Sequence, residues 1–126
     1  MTFDVPGPPV PWARARRVGN RYFVDEKTAA FKRLVALAAN DAGVVKIEKP
    51  HAVEVWLSFY LPRPKSNKGM WPVDRRDVDN LAKSILDALN GIAFEDDGQV
   101  IDLHVHKRWA DVDDAGTEVI IERIKG

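Results

Sequence analysis

In the segment Arg75-Arg76-Asp77-Val78-Asp79-Asn80-Leu81-Ala82-Lys83 two carboxylates stand one residue apart, and a lysine follows about one helical turn after the second. Further on, Phe94-Glu95-Asp96-Asp97 supplies another acidic pair. Carboxylates of this kind are hard oxygen ligands that suit Mg²⁺, which keeps several waters and is commonly held by one or two carboxylates together with substrate phosphate. A cation so placed polarises a phosphoryl group and activates water, which makes Asp77, Asp79 and Asp97 candidate metal ligands. Lys83 beside such a phosphodiester could stabilise the charge of the transition state or protonate the leaving oxygen. Each residue also has a plainer use. Asp79 would cap a helix, Asp96 and Asp97 would sit in a turn, and Lys83 would pair with Asp79 or Asp87 one turn away.

The elements around these residues decide whether they can meet. Asp77-Val78-Asp79 reads as an extended lead-in to a helix, because residues i and i+2 point the same way in an extended chain and about 200° apart on a helix. Asp79 is then the expected N-cap. Leu81, Ile85 and Leu89, spaced by four, give the helix one apolar face. Such a helix does not return the chain to its start, so a reversal after it is required if Asp97 is to stand beside Asp77.

The rest of the chain supplies a sheet and a second helix. Phe3–Pro9 reads as a first strand or extended arm cut short by prolines, Trp12–Arg17 as a basic loop, and Arg21–Val24 as a short strand. Asp25 is placed to cap a helix running to about Ala42, with Phe31, Leu34, Val35 and Ala38 on one face and Gly43 ending it. His51–Tyr60 alternates, with Val53, Val55, Leu57 and Phe59 on the core side, and Pro62 and Pro64 stop it. Gln99–Trp109 alternates again, with Ile101, Leu103 and Val105 expected inward. Thr117–Ile124 forms a last strand. The order β-β-α-β-α-β-β predicts an α/β or α+β domain, a mixed β-sheet with two main helices packed on one face.

With 126 residues the chain is one domain, residues 1–126, large enough for a core but too small for two. The longest irregular stretch, 61–76, is expected to be a mobile basic loop. No run of apolar residues is long enough for a membrane helix, and the N-terminus lacks the pattern of a signal peptide, so the cytoplasm is the expected location. The absence of cysteine removes disulfides and thiolate metal sites. Net charge is zero, but it is unevenly distributed. Arg14, Arg16, Arg17 and Arg21 fall between Pro11 and Val24 with no acid among them, and Arg63, Lys65, Lys68, Arg75 and Arg76 fall between Leu61 and Arg76 with Asp74 alone. Basic segments flanking an acidic cluster suit a protein that grips a polyanion and holds a metal at the centre.

Three further groupings have residue types that could do chemistry. His104 and His106, with Asp102, share one face of a strand and could chelate a transition metal, but a solvent-facing row is the better reading. Asp111–Gly116 resembles a fragment of a calcium loop without its closing ligands and reads as a hairpin turn. Met70-Trp71, on a basic loop, could stack on bases or wedge open a junction, or fold back on the core.

Taken in order, Arg-Arg-Asp77-Val-Asp79-Asn80-Leu81-x-Lys83, then Asp87-Ala88-Leu89, then Asp96-Asp97-x-Gln99-Val100, resembles the RusA family of Holliday-junction resolvases of phages and prophages. The resemblance is close at the centre of the chain and looser at the N-terminal proline segment, Tyr22-Phe23 and Arg63-Pro64-Lys65. It implies a RusA-like fold and a homodimeric, Mg²⁺-dependent endonuclease, with Mn²⁺ able to substitute. Such an enzyme resolves four-way DNA junctions by paired nicks in recombination and repair, in a bacterial cytoplasm. The family's metal-binding aspartates fall on Asp77, Asp79 and Asp97, and its essential lysine on Lys83. Arg14, Arg16, Arg17, Lys65, Lys68, Arg75 and Arg76 are the expected phosphate contacts. The chain departs from many relatives at Trp71-Pro72-Val73-Asp74, where a basic approach is commoner. The alternative is a branched-DNA-binding protein that kept the fold and lost catalysis; the presence of all four residues favours the enzyme.

Overall fold

The computed structural model describes residues 1–23 and 25–126. Its elements are β1 (Thr2–Pro6), β2 (Arg16–Val18), β3 (Arg21–Phe23), α1 (Glu26–Asp41), β4 (Val53–Pro62), α2 (Val78–Leu89), β5 (Val100–Ala110) and β6 (Gly116–Arg123). Four strands form one mixed sheet in the order β1-β6-β4-β5, and β2 with β3 form a separate two-stranded ribbon. β4 runs parallel to β5 and antiparallel to β6. Both helices pack on one face of the larger sheet, the α+β arrangement expected.

The core follows the period of each element. On β4, Val53, Val55, Leu57, Phe59 and Leu61 are fully buried, while the alternating positions Glu54, Trp56 and Tyr60 are only partly covered. α1 contributes Phe31, Val35 and Ala39, and α2 contributes Leu81, Ile85 and Leu89. Burying each large aliphatic side chain is worth roughly 2 kcal/mol. The parallel β4–β5 pair needs a crossover, and α2 supplies it. That crossover answers the question of reversal: the chain turns at Gly91, whose φ of 81° only glycine adopts easily, and comes back to start β5.

Several expectations need correction. Arg16 and Arg17, read as loop, lie in β2, where Arg16 pairs with Phe23 and Arg17 with Tyr22. A three-residue strand with no buried face has no alternation to reveal it. The strand expected over Arg21–Val24 is described over Arg21–Phe23, and Val24 lies outside the described residues. β4 starts at Val53 and runs two residues past Tyr60 to end at Pro62, which is aligned with Ala110. Asp111–Gly116 is not a hairpin turn, because β5 and β6 lie on opposite sides of β4 and the segment crosses the end of that strand. At Gly116 a Cβ would stand 2.9 Å from the Val5 carbonyl oxygen, so β1 can approach only a glycine there. Ile101 and Leu103 share the face expected, yet they are 64% and 42% exposed. The reason is that β5 is an edge strand, and α2 does not cover it along its whole length.

One buried side chain fastens the returning chain. Gln99 accepts from the backbone N–H groups of Glu95 and Asp96 at 2.8 and 3.0 Å through its carbonyl oxygen. Its amide donates to the carbonyls of Ile47 and His51 at 3.1 and 3.0 Å. Asp96 completes the turn by accepting from Gly98 N–H at 3.2 Å. The segment before β4 and the turn that carries Asp97 are thereby held together. We predict that Gln99→Leu, which keeps the volume but leaves two backbone donors and two acceptors without partners, destabilises the fold by about 4 kcal/mol. Urea denaturation measures this, and a wild-type midpoint would show that the amide fastens nothing.

Candidate functional site

The site is built where α2 faces the edge strand β5. Val78, Asp79, Ala82, Lys83 and Leu86 on the helix, Leu103 and Val105 on the strand and Asp97 at the turn line one cleft of about 310 Å³. Leu81, Ile85 and Leu89 turn into the core, so Asp79, Lys83 and Leu86 lie on the helix side that is left for the cleft. Asp97 reaches it because the Gln99 clasp fixes the turn that precedes β5. Asp79, Lys83 and Asp97 are all exposed, open to a ligand from solvent.

The start of α2 differs from expectation. Asp77, not Asp79, is the N-cap, with φ −70° and ψ 140°, and neither carboxylate bonds to the helix as a cap. Asp79 is already in the first helical turn, where a carboxylate is favoured by the partial positive charge of the helix N-terminus. The change from extended to helical backbone between the two residues removes the shared direction that an extended pair would have. Asp77 accordingly does not line the cleft. Among the described residues no group of three or more carboxylates or histidines stands close enough to hold a metal ion. The oxygen donors of Asp79 and Asp97 are of the type a hard divalent cation takes, and such a cation needs only one or two carboxylates when a phosphate completes its shell.

Lys83 makes no ion pair with Asp79 or Asp87 among the described residues; Asp87 faces Lys32 at 3.5 Å instead. The Lys83 ammonium stands over the ring of Trp12, 4.6 Å from its centroid. Trp12 is brought there by the proline-rich arm after β1, whose path is fixed where the Trp12 N–H donates to the Asn80 carbonyl at 3.0 Å. Sequence reasoning passed over Trp12. A tryptophan between a proline run and an arginine cluster was the available signal, but only folding sets it against α2.

Asp74, the acid out of place in a basic loop, is internally neutralised. It accepts from the backbone and guanidinium of Arg76, and from Lys107 Nζ at 3.3 Å. Lys107 also donates to the Arg76 carbonyl at 2.6 Å, which fixes the backbone one residue before Asp77. Burial alone would raise the Asp74 carboxyl, but the hydrogen bonds and charge of Arg76, with Lys107, outweigh it and hold the group at about 2, below its ordinary 3.8. Arg76, expected at phosphate, is therefore occupied, and its guanidinium also faces Trp109 at 5.9 Å. Arg63 bonds the carbonyls of Asn67 and Gly69 at 2.9 and 2.6 Å, and Trp109 Nε1 also donates to Gly69 at 3.1 Å. These bonds shape the loop that presents Met70 and Trp71, both exposed, with Arg108 set over the Trp71 ring at 5.3 Å. Arg14, Arg16, Lys65, Lys68 and Arg75 are exposed, with no acidic partner among the described residues. Arg17 turns back to the Gly19 carbonyl at 2.9 Å. His104 is bonded to Glu54 at 2.8 Å and stacked on Trp56, while His106 is exposed.

Because Asp74 is more acidic folded than unfolded, its contribution to stability is complete above about pH 4 and is lost as pH falls toward 2. Asp74→Asn should lower the melting temperature at neutral pH and flatten its decline across that acid window. A melting curve against pH for both proteins checks this, and parallel declines would refute the assignment.

No helix among the described residues is long and apolar enough to cross a membrane. The chain is 34% identical to a protein of Bacillus subtilis (strain 168) named "Uncharacterized protein YqaN", over 98% of this chain and 96% of that protein. The family model described as "Endodeoxyribonuclease RusA" matches residues 6–122, a span that takes in the arm with Trp12, α2 with Asp77, Asp79 and Lys83, the Asp97 turn and both long strands. The chain belongs to the RusA endodeoxyribonuclease family.

Proposed function

We propose that this protein is a metal-dependent, structure-selective endodeoxyribonuclease that resolves four-way DNA junctions as a homodimer. The observation that carries the reading is the cleft between α2 and β5, where Asp79, Lys83 and Asp97 come together from separate parts of an endodeoxyribonuclease-family chain. Asp79 and Asp97, with Asp77 at the head of the helix, are the residues that would hold Mg²⁺, or Mn²⁺ in its place, and the ion when bound would polarise the phosphate and activate water. Lys83 offers its ammonium to a phosphodiester in the cleft, where it stabilises negative charge developing on the phosphate oxygens. Trp12 orients that ammonium from the opposite side. Lys65, Lys68 and Arg75 contact phosphates and position the DNA without reading its sequence.

The second reading is a branched-DNA-binding protein without catalysis, favoured by one observation: the three aspartates are not gathered as a group among the described residues. One experiment separates the two. A labelled synthetic four-way junction should be nicked in Mg²⁺ and left intact in EDTA. Asp79→Asn should cut at least about a hundredfold more slowly while binding the junction as well or better, since a negative charge near phosphate is gone. Full cleavage by that variant defeats the assignment. Binding without cleavage by the unaltered protein in either metal establishes the second reading.

Support for the homodimer comes from β5, which is an edge strand of eleven residues with its outer side unpaired. Its charges are self-complementary: antiparallel pairing of two copies about Val105 sets Asp102 of each opposite Arg108 of the other. Two such subunits would present one cleft to each of two opposing strands. Sedimentation should give the mass of two chains, and Asp102→Arg should weaken the association. A single-chain mass at working concentration would exclude the dimer.

A further inference from the structure

The β2–β3 ribbon takes no part in the cleft or the core. It stands apart from the main sheet, with all six strand residues exposed. Arg16, Val18, Arg21 and Phe23 alternate onto one face, Arg17 and Tyr22 onto the other. Val18, Tyr22 and Phe23 are 61%, 69% and 51% exposed, so neither face is covered by other elements among the described residues. Gly19, with φ 62°, closes the two-residue turn between Val18 and Arg21, as the first position of a type II′ hairpin favours. An isolated two-stranded hairpin is only marginally stable in water, and this one has little packing of its own beyond the Arg17 guanidinium 5.9 Å from the centre of the Tyr22 ring. Its aromatics call for a partner that covers both sides.

The charges decide the kind of partner. Arg16, Arg17 and Arg21 lie on the ribbon and Arg14 leads into it, with no acid between Pro11 and Phe23. A second copy of the same ribbon would be repelled, whereas a polyanion would be attracted. A flat row of phosphates would occupy one face only. The major groove of duplex DNA, about 12 Å wide, admits a two-stranded ribbon and offers it phosphates along the walls and base edges within. The root of the ribbon is Trp12, the residue stacked on Lys83. The four residues from Trp12 to Arg16 span at most about 14 Å, so DNA held by the ribbon lies next to the cleft.

We propose that the β2–β3 ribbon inserts into the major groove of a duplex arm beside the cleft, with Arg16 and Arg21 on the flanking phosphates and Tyr22 and Phe23 against the groove interior. The ligand class rests on the nuclease reading above, but the binding test requires no cleavage. Anisotropy of a short labelled linear duplex is followed in EDTA across a salt series, with Arg16→Gln/Arg21→Gln and Tyr22→Ala/Phe23→Ala double variants of the full chain. No ribbon residue belongs to the core, so both variants should melt with the unaltered protein, and a thermal melt verifies that. Losing two phosphate contacts should flatten the slope of log affinity against log salt by about 1.8. The aromatic variant should keep the slope and lose roughly tenfold or more in affinity. Methylation interference at guanine N7, which lies in the major groove, should disappear in the aromatic variant.

An unchanged salt slope in the arginine variant overturns the proposal. So does an aromatic variant that binds and footprints like the unaltered protein, since the ribbon would then lie against the backbone and not in the groove. If the unaltered protein binds duplex through the ribbon but cleaves no junction in Mg²⁺ or Mn²⁺, the nuclease reading fails and the ribbon stands. If cleavage proceeds and neither ribbon variant changes binding, the ribbon proposal fails and the nuclease reading stands.

Discussion

Everything around the cleft depends on the four hydrogen bonds of the Gln99 amide. A primary amide has two donors and an acceptor with two lone pairs, and in this position each is used. Two bonds close the turn from Glu95 to Gln99, and two tie it to the strand-like segment before β4. Ile47 adds a backbone bond to Ala93 at 2.8 Å. The turn that follows α2 thus becomes part of the sheet's frame rather than a loose connection. Asp97, exposed at the head of β5, inherits that rigidity, although its carboxylate makes no ion pair among the described residues.

The same logic holds at the other end of the cleft, where Lys107 is the fastening residue. Its Cα lies on β5 and its ammonium reaches the Arg76 carbonyl and the Asp74 carboxylate. It therefore links the edge strand to the backbone just before α2. Two side chains on or beside β5, Gln99 at its start and Lys107 near its end, fix what enters and leaves the helix that carries Asp79 and Lys83. The basic residues of this half of the chain then divide by task. Arg63, Arg76 and Lys107 hold protein groups, while Lys65, Lys68 and Arg75 project outward. A formal charge of zero conceals this division, because the basic segments 11–23 and 61–76 hold a single acid between them.

The N-terminal segment completes the arrangement from the opposite side. Its prolines deny it a long strand, and after β1 it crosses to the start of α2, where the Trp12 backbone bonds Asn80 and the ring meets Lys83. From that anchor the chain goes out as a ribbon and returns at Asp25 to begin α1. The arginines of the first basic segment are consequently carried on a projection rooted at the cleft, and the cation beside the two carboxylates is braced by an aromatic ring instead of an acid. An ammonium on an aromatic face keeps its charge available to a ligand, which an ion pair with Asp79 would have spent.

The sequence by itself determined what depends on local period and residue type. The spacing of Leu81, Ile85 and Leu89 set the buried face of α2, the alternation from Val53 to Phe59 set the core side of β4, and Gly43 set the end of α1. The ordered motif from Arg75 through Val100 determined the family, because it fixes residue types at positions that no propensity requires. Only the tertiary structure decided what depends on neighbours distant in the chain. It made β5 an edge strand, which leaves Ile101 and Leu103 open to solvent despite a regular inward pattern. It placed β4 between β5 and β6, so that an apparent hairpin turn became a crossing. It paired Asp74 with Lys107 and set Trp12 on Lys83. It also moved the helix start to Val78, which separates the directions of Asp77 and Asp79. Periodicity records which side of an element is apolar; it carries no record of which other element, if any, arrives to cover that side.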